Sequence, residues 1–450
     1  MDKKQSAVVV LCLLLISAVL SYGQGYGVEW NGYLHVDNRL GLNRDYEFSW
    51  QECRLNLELK LKLFEKVKLY SEVWLRSWGF PIVQSSSDLL NKDKISPWNL
   101  AFREAYLDLY GFISDNFDLR IGKQRIAWGT ADKFNPTDNL NPPDLEDIWD
   151  FGRHLGADGI KGSYYLGDFT FTGVYVPIFT PAVLPRGDWS AVLSPPMGLP
   201  DGLTLRNLTD SITMPAYNPE ESSTVGIKAA NKIFGFDFSF SYVYGRDYLP
   251  LANKIVFTPT SVPGEVDIHS ELVFPRMHIL GMDMAGSIID IGIWAEAAVF
   301  FPKEIEMVID LSALGMGIQD SIALADDPYV KYVIGADYTF KNGIYINGQY
   351  LHGFVHERGE GNLADYFIFS IEKKFFNEEL KITTGGGAEI EDFSDFKNNY
   401  AYIFSPEIGY YPIDNTEIKI GIMLIDGTDN TTFGRVKESD EVYLKVNYSF

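Results

Sequence analysis

Between residues 53 and 63 the chain reads CRLNLELKLKL. Cys53, Leu55, Leu57, Leu59, Leu61 and Leu63 alternate without a break against Arg54, Asn56, Glu58, Lys60 and Lys62. A period of two puts the two sets on opposite faces of a β-strand. Most strands of soluble proteins stop after about five or six residues, whereas a tilted strand crossing a hydrocarbon layer takes about 9–11. The final residues, EVYLKVNYSF, repeat the pattern: Val442, Leu444, Val446, Tyr448 and Phe450 share one face, and Tyr443, Lys445, Asn447 and Ser449 the other. An apolar face that runs to the last residue needs an apolar partner along its whole length.

Repetition along the chain extends this reading. Short turns at 64–66, 111–116, 166–168, 231–235, 286–290, 341–343, 377–379 and 412–415 alternate with longer polar connections near 37–48, 78–99, 129–156, 178–221, 249–264, 302–327, 355–361, 391–398 and 427–439. Eight turns and nine loops join eighteen strands, with sixteen as the alternative count. A soluble sandwich has no reason to sort its connections in this way. A transmembrane barrel does, with tight turns on the periplasmic side and long loops outside, and closure removes the sheet edges. The expected fold is therefore all-β, an antiparallel transmembrane barrel with lipid against its apolar faces. The ending at Val446, Tyr448 and Phe450 resembles the assembly signal that the barrel-insertion machinery reads.

The N-terminus, MDKKQS followed by AVVVLCLLLISAVL and SYG, has the charged, apolar and small-residue regions of a secretory signal peptide. Residues 1–23 are read as that signal and 24–450 as one barrel domain, which implies export to the cell outer membrane, with lipid and lipopolysaccharide around it. The stretch before the first expected strand is too short for an N-terminal plug domain. A formal net charge of −23 argues against nucleic acid as a partner. Of the two cysteines, Cys12 falls in the leader and leaves Cys53 alone, so no intrachain disulfide or multi-cysteine zinc site is expected.

In a barrel, the residues opposite the apolar face line the lumen. Parity assigns Arg54, Glu58, Lys60, Lys68, Glu72, Arg76, Glu104, Asp108, Arg120 and Gln124 to it, a wall of mixed sign suited to small hydrophilic solutes. Lys123 would break the parity by pointing into lipid, so a bulge is expected near Gly122–Gln124. The stretch LRIGKQRIAWGTADKFNPTDNLNPPD is the most distinctive. Through Gly122, Lys123, Gln124, Trp128, Gly129, Asn135, Pro136 and Asp138, with REAYLDLYG (103–111) before them, it resembles the alginate-export-like porins and their uncharacterised relatives. The resemblance covers about forty residues and implies an eighteen-stranded passive channel for polysaccharide or another hydrophilic solute. An exporter of anionic polymer wants a basic lumen, and this chain is acidic.

The constriction is placed between Arg54, Arg76 and Arg120 on the wall and the third long loop, carrying Asp138 and Asp144. The acids of that loop, Asp138, Asp144, Glu146, Asp147 and Asp150, could instead hold Ca²⁺, although their spacing is not that of an EF-hand. Asp267 and His269 share a strand face as a hydrolase pair would, but Ser270 points away and cannot be their nucleophile. No catalysis, cofactor or resident metal is expected. In the fourth loop, DGLTLRNLTDSI reads as a short helix capped by Asp201, and the loop as a lid or partial plug. The function expected is a porin for hydrophilic solutes. A transporter of hydrophobic compounds and a closed-lumen surface interaction protein stand as alternatives, and the sequence leaves a homo-oligomer open.

Overall fold

A computed structural model describes residues 27–450 except 44, 194–198 and 201. The signal-peptide reading and Asp201 lie outside the described residues. Eighteen antiparallel strands form one sheet. In order they are Val28–Gly41, Phe48–Phe64, Val67–Trp78, Trp98–Leu109, Phe117–Gln124, Ala157–Leu166, Phe169–Val176, Thr224–Ile233, Phe236–Arg246, Arg276–Ile288, Ile291–Pro302, Tyr329–Thr339, Ile344–His352, Asp365–Phe375, Leu380–Ile390, Tyr400–Tyr410, Thr416–Gly427 and Glu441–Ser449. The first strand pairs with both the second and the last, so the sheet closes into a barrel. Gly32 and Phe450 exchange backbone hydrogen bonds of 3.0 and 2.9 Å at the seam.

The eight short turns fall where the sequence cadence puts them, and so do the long connections apart from the fifth, because strand length and turn residues are local properties. Outward residues are apolar and bare: Phe240 is 63 % exposed, and Ile334 and Ile420 are each 56 % exposed. Leu280, Phe369, Phe404 and Leu444 continue the belt around the circumference. Water does not tolerate an apolar surface of that extent on a monomer, so the belt faces lipid.

Three departures from expectation share one cause, long-range pairing. Strands Thr204–Ile212, Leu251–Pro259, Glu265–Val273, Ile305–Leu311 and Gly317–Leu324 form a separate five-stranded sheet, drawn from three of the long connections. The segment read as a helix over 201–212 is thus a strand, paired in parallel with Glu265–Val273. The fifth long connection runs on to residue 275 before the barrel resumes. Phe257, Val266, Ile268 and Leu311 give this second sheet a core of its own.

The bulge also lies elsewhere. Phe117–Gln124 pairs on both sides without a register shift, and Lys123 does point outward, at the loop end of its strand, opposite Asp158 with 3.9 Å between the charges. The shift occurs on the preceding strand, where Glu72 pairs with Glu104 and Val73 with Phe102, leaving Arg103 as the extra residue.

Candidate functional site

The third long loop, residues 125–156, folds into the barrel. Asn141, which is fully buried, closes its base: Oδ1 accepts from the Ile126 N–H at 2.7 Å, and Nδ2 donates to the Leu155 carbonyl at 2.9 Å. Ile126, Trp128 and Leu140 pack against inward residues of the sixth to twelfth strands, including Val174, Val243, Ile279 and Phe300. The Trp-Gly pair has a steric basis. Trp128 lies over Gly226, where an added Cβ would come within 2.9 Å of the indole. Gly129 has φ +92°, and a Cβ there would meet the Glu296 carboxylate at 2.5 Å.

Glu296, on the eleventh strand, is the loop's anchor on that side. Its carboxylate accepts from the Thr137 N–H at 2.7 Å, the Thr137 hydroxyl at 2.8 Å, the Thr130 N–H at 3.0 Å, Asn135 Nδ2 at 3.2 Å and the Ala131 N–H at 3.3 Å. Gln349, on the thirteenth strand, donates to the Asp132 carbonyl at 3.1 Å.

On the opposite side the loop meets arginines of the early strands. Arg39 donates to Asp147 at 2.9 Å and to Asp37 at 2.6 Å. Arg76 bridges Glu52 at 2.8 Å and Glu146 at 2.7 Å, and Arg103 reaches Asp144 at 2.8 Å. Within the loops, Arg153 pairs with Asp144 at 3.1 Å and Arg186 with Glu146 at 2.7 Å. Indole rings interleave these cations: Arg54 and Arg103 lie 4.2 and 4.1 Å from the Trp74 ring centre, and Arg76 and Arg186 lie 4.4 and 4.0 Å from that of Trp78. A loop tied to the first, third and fourth strands and also to the eleventh and thirteenth must cross the lumen.

Burial alone would raise the Asp144 carboxyl, but the charges of Arg153 and Arg103 outweigh it and hold the group below the ordinary aspartate range. Asp147 behaves alike: burial pushes up, while the charge and hydrogen bonds of Arg39 pull it well down.

The residues assigned to the lumen occupy distinct rows set by the register. Glu58, Glu72 and Glu104 stand side by side on the second, third and fourth strands, as do Lys60, Tyr70 and Tyr106 in the next row. Lys68, Asp108 and Arg120 form the row nearest the short turns. Glu58 and Lys60 keep side-chain exposures of 28 and 49 %, so this half is open to water. Arg76 and Asp144 meet the loop-and-arginine network. Arg54 is buried beside Glu52 at 3.5 Å and stacks on Trp74. Gln124, fully buried, donates to the Gly159 carbonyl at 3.0 Å. Two placements differ from expectation. Arg120 binds Asp108, its cross-strand neighbour, at 2.6 Å, and Asp138 binds Arg125 from within its own loop at 3.0 Å. Cross-strand proximity wins over reach across the lumen.

The sequence pattern does not single out Arg103, Arg125, Arg153, Glu296 or Asn141. Arg103 has outward parity and turns inward only through its bulge, and the others act through long-range partners. The loop acids offered to Ca²⁺ instead each face an arginine: Asp138, Asp144, Glu146, Asp147 and Asp150 are all paired with guanidinium groups. The hydrolase pair sits on the five-stranded sheet, not the barrel wall. Asp267 is bound to Arg206 at 2.8 Å, while His269 faces Thr209 at 2.9 Å and Ser211 at 3.2 Å. The fourth loop packs Trp189 and Val192 against the third, with Trp189 4.9 Å from Trp149.

No protein-family model matches the chain, and no curated protein matches it in sequence. Among solved structures it is similar to OmpF of Salmonella typhi, in complex with daunomycin, at 10 % identity and a TM-score of 0.42, over 95 % of this chain and 99 % of that one. It is similar also to OccAB3 of Acinetobacter baumannii, at 11 % identity and a TM-score of 0.48, over 95 and 99 %. The resemblance to alginate-export-like porins carried by residues 103–138 gains no support from the family models.

Proposed function

We propose that the protein is an outer-membrane porin, a passive channel for small hydrophilic solutes or oligosaccharides whose bore is set by the third long loop. One observation carries this reading: in a closed barrel with an apolar belt, a single loop is bound to opposite walls by buried polar contacts, above a charged, water-accessible half-lumen. Rows of opposed charge favour small polar solutes over apolar ones. Paired arginines leave little net positive field for an anionic polymer, so oligosaccharides of low charge are favoured as cargo over alginate. The chemistry is diffusion, and no step needs a cofactor.

Planar-bilayer recording tests the reading. The wild type should conduct in small, stable steps, and removal of residues 132–147 should enlarge them. A second reading, a closed-lumen surface protein, is favoured by the five-stranded sheet at the long-loop rim. Wild-type protein that inserts but passes no current, at low salt where screening is weak, would select it and sink the porin reading.

A further inference from the structure

Beside the polar network the lumen holds an aromatic cage. Phe134, Trp149 and Phe151 come from the third long loop, Phe354 from the connection after the thirteenth strand, Tyr366 from the fourteenth strand and Phe433 from the last long loop. Phe151, Phe354, Tyr366, Phe433 and Trp149 close a circuit of ring centres, at 5.6, 5.3, 6.4, 6.5 and 6.4 Å in turn, and Phe134 joins it 5.0 Å from Phe151. These are ordinary aromatic contact distances. The rings nonetheless leave a cavity of about 200 Å³ against the barrel wall.

The cavity exists because the wall is bare there. On the inward face Gly387, Ala401 and Ser405 line it and bring almost no side-chain volume. Gly387 is required by close backbone approach, since a Cβ there would meet the Phe367 carbonyl at 2.9 Å. Protein interiors rarely leave voids larger than a water molecule. Apolar cavities of about 150 Å³ stay dry and take up a molecule the size of benzene.

The acids nearby are already committed. Glu357 accepts from the Phe354 and Ala364 N–H groups at 2.8 and 3.0 Å and from the Tyr366 hydroxyl. Glu389 accepts from the Thr432 and Phe433 N–H groups at 2.6 and 2.8 Å. They hold the loops that carry the rings and leave no carboxylate free to pair with a bound cation. Lys133 of the third long loop also lines the cavity and brings it a hydrogen-bond donor.

We propose that this cavity is a binding site for a small neutral aromatic molecule of about one ring, bearing a hydrogen-bond acceptor. Binding there does not require that the lumen conduct. The probe is 4-fluorophenol, titrated by ¹⁹F NMR into the full-length protein in lipid nanodiscs, with empty nanodiscs as the blank for partition into lipid. Saturable binding above the blank is expected, weakened at least about tenfold by Ala401→Leu, which fills the cavity from the wall. Phe134→Ala opens the cage and should weaken binding as well; it serves if Ala401→Leu fails to fold. Heat-modifiable electrophoretic mobility reports folding of each variant. Signal no greater than in empty nanodiscs, or affinity unchanged in a folded variant, would overturn the site.

Discussion

Gly129 shows how much a single position carries. Its positive φ and its contact with Glu296 exclude a side chain, so Gly129→Ala strains the loop entry by about 1–3 kcal/mol. Fluctuating current in place of steady steps is the expected readout. Titration of the loop acids gives a second prediction. Asp144 and Asp147 are both depressed below the ordinary aspartate value of 3.8. Their contribution is therefore full above that value and is lost as pH falls through the lower folded values. Conductance should hold steady from pH 7 to about 4.5 and rise only in stronger acid. An increase between pH 6 and 5 would assign the titration to groups other than Asp144 and Asp147.

The third long loop is held by two anchors of different chemistry, and they can be separated. Glu296→Ala removes an acceptor and leaves the N–H groups of Thr130, Ala131 and Thr137 without it, at about 1–3 kcal/mol for each buried donor left unmade. Glu146→Gln instead breaks the buried ion pair to Arg76, where loss of one partner costs about 3–5 kcal/mol, and the half-exposed one to Arg186. Both should raise conductance. Glu146→Gln should shift selectivity toward anions the more, because it uncovers arginine charge at a low-dielectric wall. Equal selectivity in the two variants would mean that the arginine cluster does not face the ion path.

For the barrel as a body, closure makes every strand depend on its two neighbours and leaves no edge to fray. The protein should stay folded in detergent and change electrophoretic mobility on boiling. Ile420→Arg, on the outward face of the seventeenth strand, should destabilise by about 2–4 kcal/mol if it sits near the bilayer midplane. Denaturant titration in lipid vesicles measures it, and a neutral result would contradict a lipid-facing wall. Deleting Phe450 removes the hydrogen bonds to Gly32 at the seam and should slow insertion.

What could be read from the chain alone was whatever depends on neighbours in sequence. Alternation in 53–63 and 442–450, the turn residues between hairpins and the sorting of short and long connections specify strands, faces and the strand count, since each is set within a few residues. Parity likewise puts Glu58, Glu72 and Arg76 on the inner face. Parity cannot show which inner charge meets which. Arg120 finds Asp108 one strand away, Asp144 finds Arg103 through a bulge, and Glu296 finds a loop more than 150 residues distant. The five-stranded sheet was hidden for the same reason: its strands come from three connections and pair partly in parallel, so no single segment announces it. Folding of the loops onto one another fixes those contacts, and with them the shape of the lumen and its aromatic cavity.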